Sequence, residues 1–309
     1  MANLAVTIAG VKFNNPILLA SGILDSTPGI LRRMSQSGAA GLITKSISLD
    51  GRPGYPGPTT VEINPGTWIN AMGLPNPGLE DFLEEFPFTS LRLPIIPNIV
   101  ADTPKEFEKL AIAVATAGAK IVEINLSCPH PKAGYVGSLT GQDPGAAADV
   151  VEAVAGHIPV IAKLTPNVTN IGKIAIACAK AGATAISAIN TLAAIDVDPE
   201  LERPLLGNGF GGLSGSAIRP IGLRKVLEIV QALHTEALDV PVIGIGGISN
   251  ADDVIRYILC GAHMVQLGTC LTGNPEKMTN IRDDLEQWMN RKGYRELCDF
   301  RGRILGWFT

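Results

Sequence analysis

The sequence predicts an α/β fold, a (β/α)8 TIM barrel with loop insertions at the C-terminal face of the strands, and three observations predict it. Short apolar runs alternate eight times with longer amphipathic stretches. No stretch is dense enough in strands to form a separate sheet, and no linker interrupts the rhythm, so residues 1–309 read as one domain. Polar residues collect at the C-terminal ends of the apolar runs, which a closed barrel gathers into one mouth.

The predicted strands are 16–21, 41–45, 95–99, 120–125, 160–163, 185–189, 242–245 and 264–267. Each is short and mostly apolar, the pattern of a parallel strand covered on both faces. Helix signals fall between them. Thr103-Pro104 opens a helix that stops near Ala117-Gly118, and Asp143-Pro144 opens one that stops near Gly156. Asn250 caps a run that ends at Cys260-Gly261. Two segments break the rhythm: 50–76, rich in Gly and Pro, and 192–215. Both follow strands, so they fall on the face where barrels build active sites, and long loops there tend to carry function.

Composition narrows the classes. Hydrophobic residues make up 46% of the 309 residues and charged residues 17%, enough apolar material for a large core and too little charge for a disordered chain. A net charge of -4 gives no general basic field, so nucleic acid is not an expected partner. The five cysteines, Cys128, Cys178, Cys260, Cys270 and Cys298, are odd in number and lack any C-x-x-C pairing. That pattern predicts no disulfide framework and no metal or iron–sulfur site, and it fits a reducing cytoplasm. The apolar start, Leu4 to Leu24, is interrupted by Lys12, Asn14, Asn15 and Pro16, so it reads as neither a signal peptide nor a membrane span.

The strand ends supply Ser21, Lys45-Ser46, Asn98, Asn125 with Ser127-Cys128, Lys163, and Asn190-Thr191. The seventh and eighth strands run into Gly246-Gly247-Ile248-Ser249 and Gly268-Thr269, the places where a barrel binds phosphate through backbone N–H groups. Lys45 and Lys163 end apolar strands, where an ammonium must be paired or serve an anion. One suits the negative charge that a flavin develops on accepting a hydride, and the other suits an anionic substrate. Cys128 begins the loop after the fourth strand and is the candidate proton acceptor, whereas the other cysteines read as small buried hydrophobes. His130, two residues on, reads first as a substrate contact, with a base or a plain loop residue as the other readings. His157, His234 and His263 look structural.

Several ordered motifs then carry a resemblance. They are Ala20-Ser21-Gly22, Thr44-Lys45-Ser46, the stretch from Asn70 to Gly78, and Asn125-Leu126-Ser127-Cys128-Pro129. They continue through the stretch from Lys163 to Thr169, Asn190-Thr191, the stretch from Gly211 to Gly215, Ile245-Gly246-Gly247-Ile248 and Gly268-Thr269. With these the chain resembles the class 1 dihydroorotate dehydrogenases from end to end, and is most similar to the catalytic FMN subunit of the NAD-linked subclass.

The resemblance implies FMN contacts at Ser21, Lys45, Ser46, Asn98, Asn125, Lys163, Ile189, Gly215, Gly246, Gly247, Gly268 and Thr269. It implies a pyrimidine held by Lys45, Asn70, Met72, Gly73, Leu74, Asn125, Asn190 and Thr191. An asparagine amide carries both a donor and an acceptor, which suits the alternating edge of a pyrimidine. Cys128 is implied as the base that takes the C5 proton while the C6 hydride passes to the flavin, with Lys163 stabilising the reduced ring.

The family usually has Asn where His130 stands, and Ser-Cys-Pro-His also resembles the pyrimidine-binding domain of dihydropyrimidine dehydrogenase. Dihydroorotate leads on the strength of the 70–78 loop. A uracil-type dihydropyrimidine is the alternative, and a non-redox phosphate-binding barrel is the remote one. The implied partner is an electron-transfer subunit with FAD and [2Fe-2S] passing electrons to NAD, around a homodimer core of a heterotetramer. The tail is as similar to the fumarate-using subclass.

Overall fold

Eight parallel strands close on themselves in the computed structural model, which describes residues 1–86, 88, 91–127 and 140–308. In chain order they are β1 (Ile17–Leu19), β2 (Gly41–Ile47), β3 (Ile95–Ile99), β4 (Val122–Asn125), β5 (Val160–Leu164), β6 (Ala185–Ala188), β7 (Val242–Ile245) and β8 (Met264–Leu267). Each pairs with its neighbours in sequence, and β8 returns to β1. One helix follows each strand: α1 (Pro28–Met34), α2 (Leu79–Glu85), α3 (Pro104–Thr116), α4 (Pro144–Ala155), α5 (Ile171–Lys180), α6 (Arg219–Thr235), α7 (Ala251–Leu259) and α8 (Lys277–Lys292).

The helix starts follow local chemistry. Thr103 and Glu106 form a reciprocal capping box ahead of α3, and Asp143 and Asn250 accept N–H bonds at the heads of α4 and α7. The three helix starts read from sequence therefore hold. Strand boundaries shift by a few residues. Expected runs 16–21, 120–125 and 185–189 trim to 17–19, 122–125 and 185–188, whereas 41–45 extends to Ile47. The extension comes from an extra residue in β2, because Ile43 pairs with Ile96 but Ser46 pairs with Asn98. Such a bulge re-aims side chains, here beside Lys45.

The barrel interior is layered. Its lower layer is apolar, with Leu18, Ile43, Ile96, Ile161, Ile243 and Met264 packed together, and Ile8 and Phe13 of the hairpin Val6–Ile8/Val11–Phe13 join it. Two residues further along the strands, on the same face, stand Asn98, Glu123, Lys163, Ser187 and Gln266. This upper layer is polar and almost wholly buried. Residues of the opposite parity, such as Ile124, Ala162, Ile186 and Val265, face the helices in the main core.

The segments expected as loops at 50–76 and 192–215 are more ordered than a loop reading implies. They pair with each other in a four-stranded antiparallel sheet, in the order 192–194, 211–215, 67–70, 60–64. A small cluster of Ile69, Ala71 and Leu206 packs beneath it. The sheet roofs the C-terminal mouth. Among the described residues no helix is long and apolar enough to cross a membrane.

Candidate active site

Beneath that roof lies a cavity of about 690 Å³, lined by residues from the strand ends and from both inserted segments. Ser21, Lys45, Ser46, Asn125, Lys163, Ile189, Gly215, Gly246, Gly247, Gly268 and Thr269 all line it. So do Asn70, Met72, Gly73, Leu74, Asn190 and Thr191. Asn98 does not; it is fully buried in the polar layer, with Nδ2 donating to Glu123 Oε1 at 2.7 Å. Cys128 and His130 lie outside the described residues.

Asn125 sits at the end of β4, opposite Lys163 in the register. Its Oδ1 accepts from Ser127 N at 3.1 Å and from Asn190 Nδ2 at 3.3 Å. Both lone pairs of that oxygen are occupied, so Nδ2 is the group that Asn125 offers to a ligand. Asn190 is likewise committed, its Oδ1 accepting from Thr191 N at 2.9 Å. Asn167 ties this region to the roof by accepting from Ala193 N at 2.8 Å and donating to Thr191 O at 3.2 Å.

Two cations stand in the wall. Lys163 is 5% exposed, and its Nζ lies 3.6 Å from Glu123 Oε1. Lys45 is held below the usual lysine range by burial, a tendency opposed by the charge of Asp25 and reinforced by that of Lys163. Asp25 is pushed up by its own burial, against the pull of Lys45 and a 2.5 Å bond from Gly22 N. Two lysines and a buried carboxylate thus form a charge cluster on one side of the cavity.

Elsewhere the lining is backbone. Gly246 and Gly247 have φ of +119° and +69°, conformations that L side chains avoid, and a Cβ at Gly247 would collide with Arg219. Tyr257 Oη, 2.7 Å from Gly246 O, pins the turn from behind. Asp253, fully buried, accepts from Ser249 N at 3.0 Å, Arg219 at 3.0 Å and Arg256 at 2.6 Å, fixing the head of α7 against the same turn. The turn after β7, the Gly268-Thr269 step after β8 and Gly215 all face the cavity, the arrangement in which barrels take up phosphate.

The sequence matches the family described as dihydroorotate dehydrogenase over residues 3–289. The chain belongs to the dihydroorotate dehydrogenase family. The family's curated members include a Pyrococcus abyssi protein 45% identical over 305 residues, covering 98% of this chain and 99% of that one. A Pyrococcus furiosus protein is 44% identical (97% and 98% covered), and one from Methanothermobacter thermautotrophicus is 38% identical (97% of each). All three are named dihydroorotate dehydrogenase B (NAD(+)), catalytic subunit.

Membership of the dihydroorotate dehydrogenase family sets the resemblance read from the motifs on firm ground. Glu123, Gln266, Asp25 and Tyr257 were absent from that reading. Glu123 and Gln266 did carry a signal, a charge and an amide inside otherwise apolar strands (KIVEIN, MVQL), where an unpaired polar group would be costly. Asp25 carried none, because its partner Lys45 lies on the next strand.

Proposed function

We propose that the protein is the catalytic subunit of a dihydroorotate dehydrogenase, oxidising dihydroorotate to orotate in the synthesis of UMP. The observation that carries the reading is the convergence, in one cavity of a member of this family, of a glycine-built anion cradle, two lysines and the amides of Asn70, Asn125 and Asn190.

The cavity fits FMN on three counts. The Gly246-Gly247 turn presents backbone without side chains at one end, and Lys45 and Lys163 supply positive charge on the wall. Among the described residues that line the cavity, the buried Ser127 Oγ and Gln266 Oε1 have no hydrogen-bond partner. Ser21, Ser46, Ile189, Gly215, Gly246, Gly247, Gly268 and Thr269 would hold the cofactor, with Lys163 beside its ring. FMN, when bound, supplies the acceptor for the hydride that leaves C6 of the substrate.

The chain's own residues do the rest. Lys45 faces the substrate carboxylate, and the amides of Asn70, Asn125 and Asn190 orient the pyrimidine edge. Met72, Gly73, Leu74 and Thr191 shape the pocket around it. Cys128 Sγ takes the C5 proton, with His130 as a neighbouring contact. Electrons leave through a partner subunit carrying FAD and [2Fe-2S] to NAD; the names of the relatives, catalytic subunits of an NAD(+)-linked enzyme, support a partner subunit and NAD as the acceptor.

Cys128→Ala tests the reading. The variant stays yellow, and its flavin reduction by dihydroorotate falls ~10²- to 10⁴-fold, the usual worth of a general base. Unchanged reduction removes Cys128 from the role. Dihydrouracil in place of dihydroorotate is the control: faster bleaching by dihydrouracil would transfer the site to uracil-type rings.

A further inference from the structure

At the centre of the barrel a single carboxylate collects three hydrogen-bond donors and one ammonium from four different strands. Glu123 of β4 is fully buried. Its Oε1 accepts from Asn98 Nδ2 of β3 at 2.7 Å and lies 3.6 Å from Lys163 Nζ of β5. Its Oε2 accepts from Gln266 Nε2 of β8 at 2.6 Å and from Ser187 Oγ of β6 at 3.0 Å.

The consequence is electrostatic as well as structural. An amide can turn either end to a neighbour, but a carboxylate accepts only. With both NH₂ groups drawn to Glu123, the carbonyl ends of Asn98 and Gln266 are directed away from it. Among the described residues, Asn98 Oδ1 and Gln266 Oε1 are the two amide oxygens left buried without a partner, and of these two residues Gln266 lines the cavity. Such oxygens are costly unless a donor arrives, and a ring N–H, which an isoalloxazine carries, is such a donor. The carboxylate also places one negative charge behind the Lys163 ammonium, so the cavity feels a partly compensated cation.

We infer that Glu123 is a positioning residue for the cofactor: it fixes Gln266 as an acceptor at the cavity wall, holds Asn98 in the layer behind it, and sets the effective charge that Lys163 presents to the bound ring. The inference rests on the FMN reading above. Nothing in it requires Glu123 to touch the ligand.

The test is the reduction potential of the full-length holoprotein, measured spectroelectrochemically, together with the FMN dissociation constant. In Glu123→Gln one amide must turn its oxygen toward the new NH₂, and Lys163 loses its counter-charge. FMN binding weakens roughly tenfold, the worth of one misplaced hydrogen bond, and the potential moves to less negative values because an uncompensated cation favours the anionic reduced ring. A second comparison guards against misfolding of that variant. Lys163→Met and the double variant Glu123→Gln/Lys163→Met bury no new unpaired ammonium, and the double variant has the higher potential of the two. A potential unchanged, or more negative, on loss of the carboxylate in either background overturns the inference while leaving FMN binding by the parent protein intact. A parent protein that takes up no flavin removes the proposed function and this inference together.

Discussion

The barrel interior and its antiparallel roof bound the same cavity but are built on opposite principles. In the interior every strand is covered on both faces, and the polar layer is cross-linked by side-chain bonds from Glu123 to β3, β6 and β8. Among the described residues of the roof, Ile69, Ala71 and Leu206 form a small buried cluster, while Ile195, Val197 and Phe210 stand exposed. The roof's strand 211–215 carries three glycines where the backbones approach closely, and a Cβ at Gly215 would strike Gly66 O. A preorganised interior suits a cofactor that stays; a lightly packed roof suits a substrate that must enter and leave.

The largest effect expected from this contrast falls in the interior. Gly244 of β7 lies against the ring of Tyr257, and a side chain there would drive into it. Gly244→Val therefore destabilises the whole barrel by about 3 kcal/mol, read as a lower midpoint in denaturant with the slope unchanged. A loss confined to the roof, seen as local hydrogen exchange with an unshifted midpoint, would break the comparison.

Acid stability sharpens it. His263, just before β8, is held down to about 4 by burial and by Arg301, and its Nδ1 accepts from Val242 N at 3.3 Å. Its folded pKa lies below the ordinary 6.5, so between those values the unfolded chain takes up a proton that the folded one refuses. Stability consequently falls as pH drops from about 6.5 to about 4, by at most about 3 kcal/mol, and levels off below. In His263→Gln that slope disappears, a difference that equilibrium unfolding at a series of pH values measures.

The smallest effect on stability belongs to the roof. Phe210 is 66% exposed yet lines the cavity. Phe210→Ser leaves stability within about 0.5 kcal/mol, as surface changes do, and raises the KM for dihydroorotate several-fold with FMN still bound. A fall in FMN affinity with KM unmoved would place the roof on the cofactor side instead.

The same contrast explains what the sequence disclosed. All eight barrel strands and the caps at Thr103, Asp143 and Asn250 were legible because apolar runs and capping residues act locally. The roof was not, since the pairing of Trp68 with Ser214 joins residues far apart in the chain and leaves no local pattern. In the site, residues at strand ends could be read in advance, whereas the hub at Glu123 sits one layer deeper, inside a strand. Its charge was visible in the run KIVEIN, but its partners on β3, β5, β6 and β8 appear only once the barrel closes.

One measurement bears most directly on the claim that a single cavity holds both flavin and dihydropyrimidine: anaerobic addition of dihydroorotate to the purified full-length protein, followed by visible absorbance. Flavin bands are expected to bleach on mixing and to return when an electron acceptor is supplied. A protein without those bands even after added FMN, or with bands that dihydroorotate leaves unchanged, would contradict that claim.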